Sequence, residues 1–233
     1  MFTDPQSRQA EFLAGFKAEL PILLGVVPFG MIYGVLALQA AIPSGAAQAM
    51  SAVVFAGSSQ FLAVQLIRAS TPALVIVLSI FVINLRHALY SASVAPYLGR
   101  LPLRWRAVLA YLLTDEAYAV TITHYQSAEN IPHGQWFFLG AGLTLWSGWQ
   151  LSTAAGIFLG TVIPAGWSLD FTLALTFIAL LVPSIKDRAA VTAALAAGVT
   201  AVLGYNLPFK LGLVAAALVG ISVGLWTEAR WKR

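Results

Sequence analysis

Asn84-Leu85-Arg86-His87-Ala88-Leu89-Tyr90 lies inside an otherwise uncharged apolar run from Pro72 to Tyr97. A run of that length reads as a membrane span, and its middle is polar. An arginine near the bilayer midplane costs roughly 2.5–3.5 kcal/mol even on the lenient insertion scale, so it faces a partner, a water-filled cavity or a ligand. A second polar centre lies downstream, where Asp115-Glu116 falls near the middle of the apolar segment Ala107 to Tyr125. No other central position carries an acid on this reading. The two centres are expected to face each other and to form or flank a path for a solute.

Composition sets the class. Of 233 residues, 59% are hydrophobic and 9% charged, against about 25% charged in a soluble domain. Mean hydropathy is +0.82. With about 20 residues per spanning helix, the length accommodates seven or eight segments and leaves no soluble enzymatic domain. Long unbroken apolar runs favour helices over a barrel, whose strands would alternate apolar and polar residues. The expected fold is therefore all-α, a polytopic transmembrane helix bundle with some segments broken or re-entrant. The lack of cysteine excludes disulfides, thiolate catalysis and sulfur-ligated metals. A net charge of +4 without a basic block gives no sign of nucleic acid.

Residues 1–19 form a short polar lead-in with Asp4, Arg8, Glu11 and Lys17, and no cleavable signal peptide is expected. Residues 20–227 form one transmembrane domain, and 228–233 a basic tail. The first span, about Leu20 to Ala40, contains Pro28, which predicts a kink or break around Val27 to Gly30. A kinked packing helix is the equal alternative. In the next segment, Ser44 to Ile67, Phe55-Ala56-Gly57-Ser58-Ser59-Gln60-Phe61 places small residues and a glutamine at mid-depth. That is either an unwound point that meets a substrate or ion or a small-residue helix contact.

In the third span, helical spacing puts Arg86 on a face with Tyr90 and Ser93, and Asn84 on a face with His87 and Ser91. The fourth, Ala107 to Tyr125, puts Tyr111, Asp115 and Tyr118 on one stripe, with Glu116 about 100° away. Glycines 140, 142, 148, 156 and 160 in the fifth span read as helix packing. A sixth span follows Trp167, with Asp170 as its cap, and ends at Val182-Pro183. An alanine-rich seventh runs to about Tyr205, and the last carries the Gly220 to Gly224 GxxxG match, a packing motif. With eight full spans, the positive-inside rule puts both tails in the cytoplasm and the basic 98–106 loop outside. A re-entrant segment around Gly57 to Gln60 would bring that loop inward.

Four blocks resemble the AzlC-type large subunits of bacterial branched-chain amino-acid exporters: residues 55–61, residues 84–90 with Ala95-Pro96, Leu113-Thr114-Asp115-Glu116-Ala117-Tyr118-Ala119, and Leu169-Asp170-Phe171. They occur in the family's order, and the resemblance covers nearly the whole chain. It implies a multi-pass protein of the bacterial inner membrane that exports leucine, isoleucine, valine and in some cases methionine, working with a small AzlD-type membrane subunit.

Such a substrate is a zwitterion with an aliphatic tail. It requires a positive pole, a negative pole and an apolar pocket. Arg86, or a helix end at Ser58-Ser59, is the candidate for the carboxylate, and Asp115 or Glu116 for the ammonium. Gln60, Asn84 and Tyr90 complete the candidate substrate-binding set. The alternative is that Arg86 pairs with an acid only to hold two helices in register. His87, Asp115 and Glu116 are candidates for proton coupling; His87 reads equally as a packing residue, and His124 and His133 as interfacial. No cofactor and no metal site are expected from three scattered histidines. No nucleophile with its base is evident, so an enzyme is not expected. An exporter of another small solute, a channel-like facilitator and a membrane scaffold for a small partner stay open.

Overall fold

The computed structural model describes residues 5–127, 132–161, 185, 187–208 and 211–231. These residues form α1 (Pro5–Gln39), α2 (Ser44–Val54), α3 (Gly57–Arg68), α4 (Ala73–Asn84), α5 (Arg86–Leu98), α6 (Leu103–Tyr111), α7 (Asp115–Gln126), α8 (Gly134–Gly160), α9 (Arg188–Leu203) and α10 (Leu211–Trp231). The fold is all-α. Among the described residues three stretches are long and apolar enough to cross a membrane: Arg8–Gln39, Ala73–Leu98 and Leu211–Arg230. The span expected between Trp167 and Pro183, with Asp170, lies outside the described residues.

The chain divides into two compact units. One comprises Met1–Leu62 with Asn84–Ala165, and the other Ala63–Ile83 with Gly166–Arg233. In the first, α1 and α8 lie parallel along their lengths. A Cβ on Gly140 would stand 2.1 Å from the Phe12 carbonyl oxygen, and one on Gly156 would stand 2.1 Å from that of Met31. Only glycine allows backbones to approach so closely, the mechanism of small-residue packing in membranes. Gly156→Val is expected to push α1 from α8 and to cost at least about 1–3 kcal/mol, read as a lower melting temperature of the purified protein. The break expected at Pro28 is absent, because Pro21 and Pro28 both sit inside one continuous helix. The lead-in from Pro5 onward belongs to that same helix.

Breaks occur elsewhere. Between α2 and α3, Phe55 takes left-handed dihedrals (φ 40°, ψ 45°), at a cost of roughly 1–3 kcal/mol for a bulky residue. Its ring is buried, with its centroid 5.9 Å from that of Tyr111, which holds the strained position. The break between α4 and α5 is milder: Leu85 keeps helical dihedrals and Ala88 N–H reaches back to the Leu85 carbonyl at 3.0 Å.

The largest departure from expectation is the segment Ala107 to Tyr125, read from sequence as one span. It reverses. Trp105 packs on Trp136 (5.0 Å between centroids), and Tyr111 accepts a hydrogen bond from Trp146 Nε1 at 2.7 Å, so α6 runs parallel to α8. The other arm comes back: Tyr125 donates to the Gly134 carbonyl at 3.1 Å and His124 stacks on Phe137. Residues 112–114 are thus the tip of a helical hairpin, and the stripe joining Tyr111 to Asp115 and Tyr118 is broken there. Thr114 is extended and its hydroxyl accepts from Ala117 N–H at 3.4 Å, with Asp115 and Glu116 in the first turn of α7. A threonine cap followed by two acids favours a helix start over a continuing helix.

The hairpin changes the expected placement of the basic loop. Because α5 runs parallel to α7, from Arg86 beside Asp115 to Tyr97 beside Tyr125, residues 98–102 lie at the end of this unit that holds the start of α1. Arg100, Arg104 and Arg106 therefore join Arg8 and Lys17 at one end, which the positive-inside rule assigns to the cytoplasm. Since the chain has no native cysteine, Gly99→Cys offers a direct check. A membrane-impermeant thiol reagent is expected to label it in inside-out vesicles and to leave it unlabelled in intact cells; the reverse pattern would overturn this placement.

In the second unit α9 and α10 are antiparallel. Added Cβ atoms on Gly220 and Gly224 would meet Ala197 and Ala193 at 2.9 and 3.1 Å, and Thr192 bonds Thr227 at 3.1 Å. The GxxxG motif is the packing contact expected of it.

Candidate functional site

Helix starts carry the polar residues of the first unit. Ser58 and Ser59 stand in the first turn of α3, Arg86 and His87 in that of α5, and Asp115 and Glu116 in that of α7. Each first turn presents backbone N–H groups with no partner inside the helix. Side chains then join the three elements. Arg86 donates through one terminal nitrogen to Asp115 Oδ2 at 2.5 Å and through the other to Ser58 Oγ at 2.7 Å. Ser59 Oγ donates to Asn84 Oδ1 at 2.6 Å. The two centres expected to face each other therefore do so.

The pair is not sealed off: the Arg86 and Asp115 side chains are 30% and 37% exposed. Arg86 Nε and Asp115 Oδ1 are nevertheless buried atoms without a hydrogen-bond partner. A spare donor thus sits beside a spare acceptor in one centre. A buried unmade hydrogen bond costs about 1–3 kcal/mol.

Around this centre α5 and α7 are zipped by aromatic rings. Tyr90 stacks on Tyr118 with centroids 4.5 Å apart, and Tyr118 donates to Ser93 at 3.0 Å. The face read for Arg86, Tyr90 and Ser93 is the one turned to α7. His87 Nδ1 lies 3.2 Å from the Asn84 carbonyl oxygen; a carbonyl only accepts, so Nδ1 carries the proton and Nε2 is left as an acceptor. Further along α5, a cleft of about 180 Å³ is lined mainly by Val94, Leu98, Leu109, Leu113 and Phe138, with Ser91 at its wall.

Gln60 stands apart from this centre. It is fully buried and accepts from Trp149 Nε1 at 3.0 Å, within a cluster where Trp149 stacks on Tyr33 and Phe61 meets Phe29 and Tyr33 edge-on. His124 pairs with Glu11 at 2.9 Å, and His133 takes left-handed dihedrals just before α8. Among the described residues no group of three metal-ligating side chains occurs.

One residue was not anticipated. Glu19 has no exposed surface, and both its carboxyl oxygens lack a hydrogen-bond partner. In sequence it stands at the edge of the apolar run, where composition makes it look like the last residue of a polar lead-in. The signal that could have found it is spacing: Gly15, Glu19 and Leu23 recur every four residues, and Gly15 and Leu23 both face α8.

These elements define a helical membrane protein whose interrupted helices bring an arginine, an aspartate and two serines together. The chain belongs to the AzlC family, whose sequence pattern, described as AzlC protein, matches residues 21–163. It is similar to an uncharacterized membrane protein of Archaeoglobus fulgidus, 33% identical over 94% of this chain and 97% of the relative. It is also similar to the inner membrane protein YgaZ of Escherichia coli K12, 27% identical over 97% of this chain and 96% of the relative. An uncharacterized membrane protein of Helicobacter pylori is 30% identical over 65% of this chain and 67% of its own length. No solved structure matches.

Proposed function

We propose that this chain is the large subunit of a two-component exporter of branched-chain amino acids in the bacterial inner membrane, moving leucine, isoleucine and valine, with methionine as a further substrate. A small AzlD-type membrane subunit is its partner. The observation that carries this reading is the spare donor at Arg86 Nε beside the spare acceptor at Asp115 Oδ1. A zwitterion supplies the complement of both: its carboxylate accepts from Arg86 and the first turn of α3, and its ammonium donates to Asp115 or Glu116. Asn84 and Tyr90 border the site. The cleft against Val94, Leu109 and Leu113 suits one small aliphatic side chain, being below the roughly 300–1,000 Å³ of drug-sized pockets.

The chemistry is that of a transporter rather than an enzyme. Binding turns on charge and shape, and no bond of the substrate is broken. The reading is tested by leucine efflux from cells loaded with a leucine-containing dipeptide, with this chain expressed alone and beside the small subunit. Faster efflux only with both is the expected result. Unchanged efflux of leucine, isoleucine, valine and methionine, with both chains present in the membrane, would overturn it. The ion pair itself favours a second reading, in which Arg86, Asp115 and Ser58 form a clamp holding three helix starts in register; a scaffold of that kind loses assembly, not flux, when the clamp is cut.

A further inference from the structure

Glu19 is fully buried within α1, and among the described residues its two carboxyl oxygens have neither a hydrogen-bond donor nor a paired cation. A bare charge in such surroundings costs several kcal/mol. What surrounds it follows from the register of α1 against α7. The two helices are antiparallel, and the Glu11–His124 pair fixes their alignment. Eight residues further along α1 is Glu19, and eight residues back along α7 is Glu116. Eight residues span about 12 Å, so Glu19 stands at the level of Glu116 on the neighbouring helix, where the charge of Glu116 bears on it. Between these two levels lies Thr121 Oγ1, also buried and also without a partner.

Glu116 has neighbours that Glu19 lacks, the Thr114 hydroxyl and the Arg86 guanidinium of α5. Of the other helices that touch α1, α8 and α2 contain no titratable residue, and α3, which meets α1 through Phe61 against Phe29 and Tyr33, has only Arg68, in its last turn. On α1 itself Lys17 is exposed. On α7, Asp115 is engaged by Arg86, Tyr118 donates to Ser93, and His124 donates to Glu11. The Tyr125 hydroxyl is taken by the Gly134 carbonyl.

We propose that Glu19, at the level of Glu116 between α1 and α7, is a proton-binding group outside the Arg86–Asp115 centre that loads and releases a proton as the transporter cycles. Glu19 takes up one proton from water as its carboxyl O–H bond forms and returns it to water as that bond breaks. Thr121 and the Glu11–His124 pair continue the polar line toward the start of α1, and Asp115 adjoins Glu116 at the other end. Coupling of this site to export rests on the exporter reading; its occupancy by a proton does not.

Two measurements on the purified full-length chain test this. Infrared spectroscopy of the wild-type protein at neutral pH is expected to show the C=O stretch of a protonated carboxylic acid in a dry site. Glu19→Gln, which keeps shape and removes charge, removes that band, while Glu116→Gln alters the pH at which it disappears. Absence of the band from wild type, which needs no variant, would overturn the proposal, as would an unchanged band in Glu19→Gln. In vesicles that hold this chain together with the small AzlD-type subunit, leucine efflux driven by a pH gradient is expected to fall to the passive leak in Glu19→Gln, while leucine exchange at equal pH continues. Gradient-driven efflux that survives Glu19→Gln would overturn the coupling role. If wild-type vesicles with both chains move no leucine, the exporter reading fails, and the infrared band still decides the proton site at Glu19.

Discussion

Replacing Arg86 by lysine is expected to abolish leucine export while leaving the amount of protein in the membrane unchanged. The guanidinium uses two terminal nitrogens on Asp115 and Ser58 and keeps Nε in reserve. A lysine retains the charge but offers one compact ammonium, without a planar fork that reaches three partners at once. It can pair with Asp115; it cannot also present a fixed donor to a carboxylate. A hydrogen bond to a charged group is worth about 1.5–3 kcal/mol, so loss of the donor to the substrate carboxylate is expected to lower affinity at least about tenfold at 1.4 kcal/mol per tenfold. Efflux assays normalised to membrane abundance check this. If Arg86→Lys mainly lowers abundance and the remaining protein transports normally, Arg86 is a clamp rather than a binding group.

Asp115→Asn is expected to have the second large effect, and it acts on both stability and transport. The amide is nearly isosteric but neutral, so Arg86 loses its counter-charge and a substrate ammonium loses its acceptor. Breaking a buried ion pair from one side costs about 3–5 kcal/mol. With side chains about a third exposed, the stability loss belongs at or below the lower end of that range, because solvent screens the remaining charge. The double change Arg86→Gln with Asp115→Asn separates the two roles. It removes both charges together, so the melting temperature is expected to recover toward wild type while export stays absent. Export restored by the neutral pair would contradict a zwitterion site.

How much of this the sequence reveals differs residue by residue. Arg86 and Asp115 are legible because a charge in an apolar run has few tolerable environments, and their mutual pairing follows from that cost. The α2–α3 interruption is legible from Gly57-Ser58-Ser59. The strained residue, however, is Phe55, since αL at a helix end is ordinarily a glycine's position and the αL role of a phenylalanine depends on its tertiary packing. Pro28 misleads in the opposite direction: it sits inside a helix whose neighbour α8 packs closely on both sides of it. The hairpin at 112–114 had a local mark in Thr114-Asp115-Glu116, a cap with acids in the first turn. That mark was outweighed by continuous hydrophobicity, which does not register a reversal inside a membrane. Glu19 was hidden by its position at the edge of an apolar window, because hydropathy averages over neighbours and burial is a property of the α1–α8 and α1–α7 contacts.

The most direct test of the account asks whether the Arg86–Asp115 centre needs both poles of its ligand. Radiolabelled leucine bound to the purified chain with the proposed small subunit would be challenged with unlabelled leucine, with 4-methylpentanoic acid, which lacks the ammonium, and with isopentylamine, which lacks the carboxylate. Displacement by leucine and by neither half-ligand in the same concentration range is the predicted result. Equal displacement by the acid or the amine alone would contradict the zwitterion site at the meeting of α3, α5 and α7.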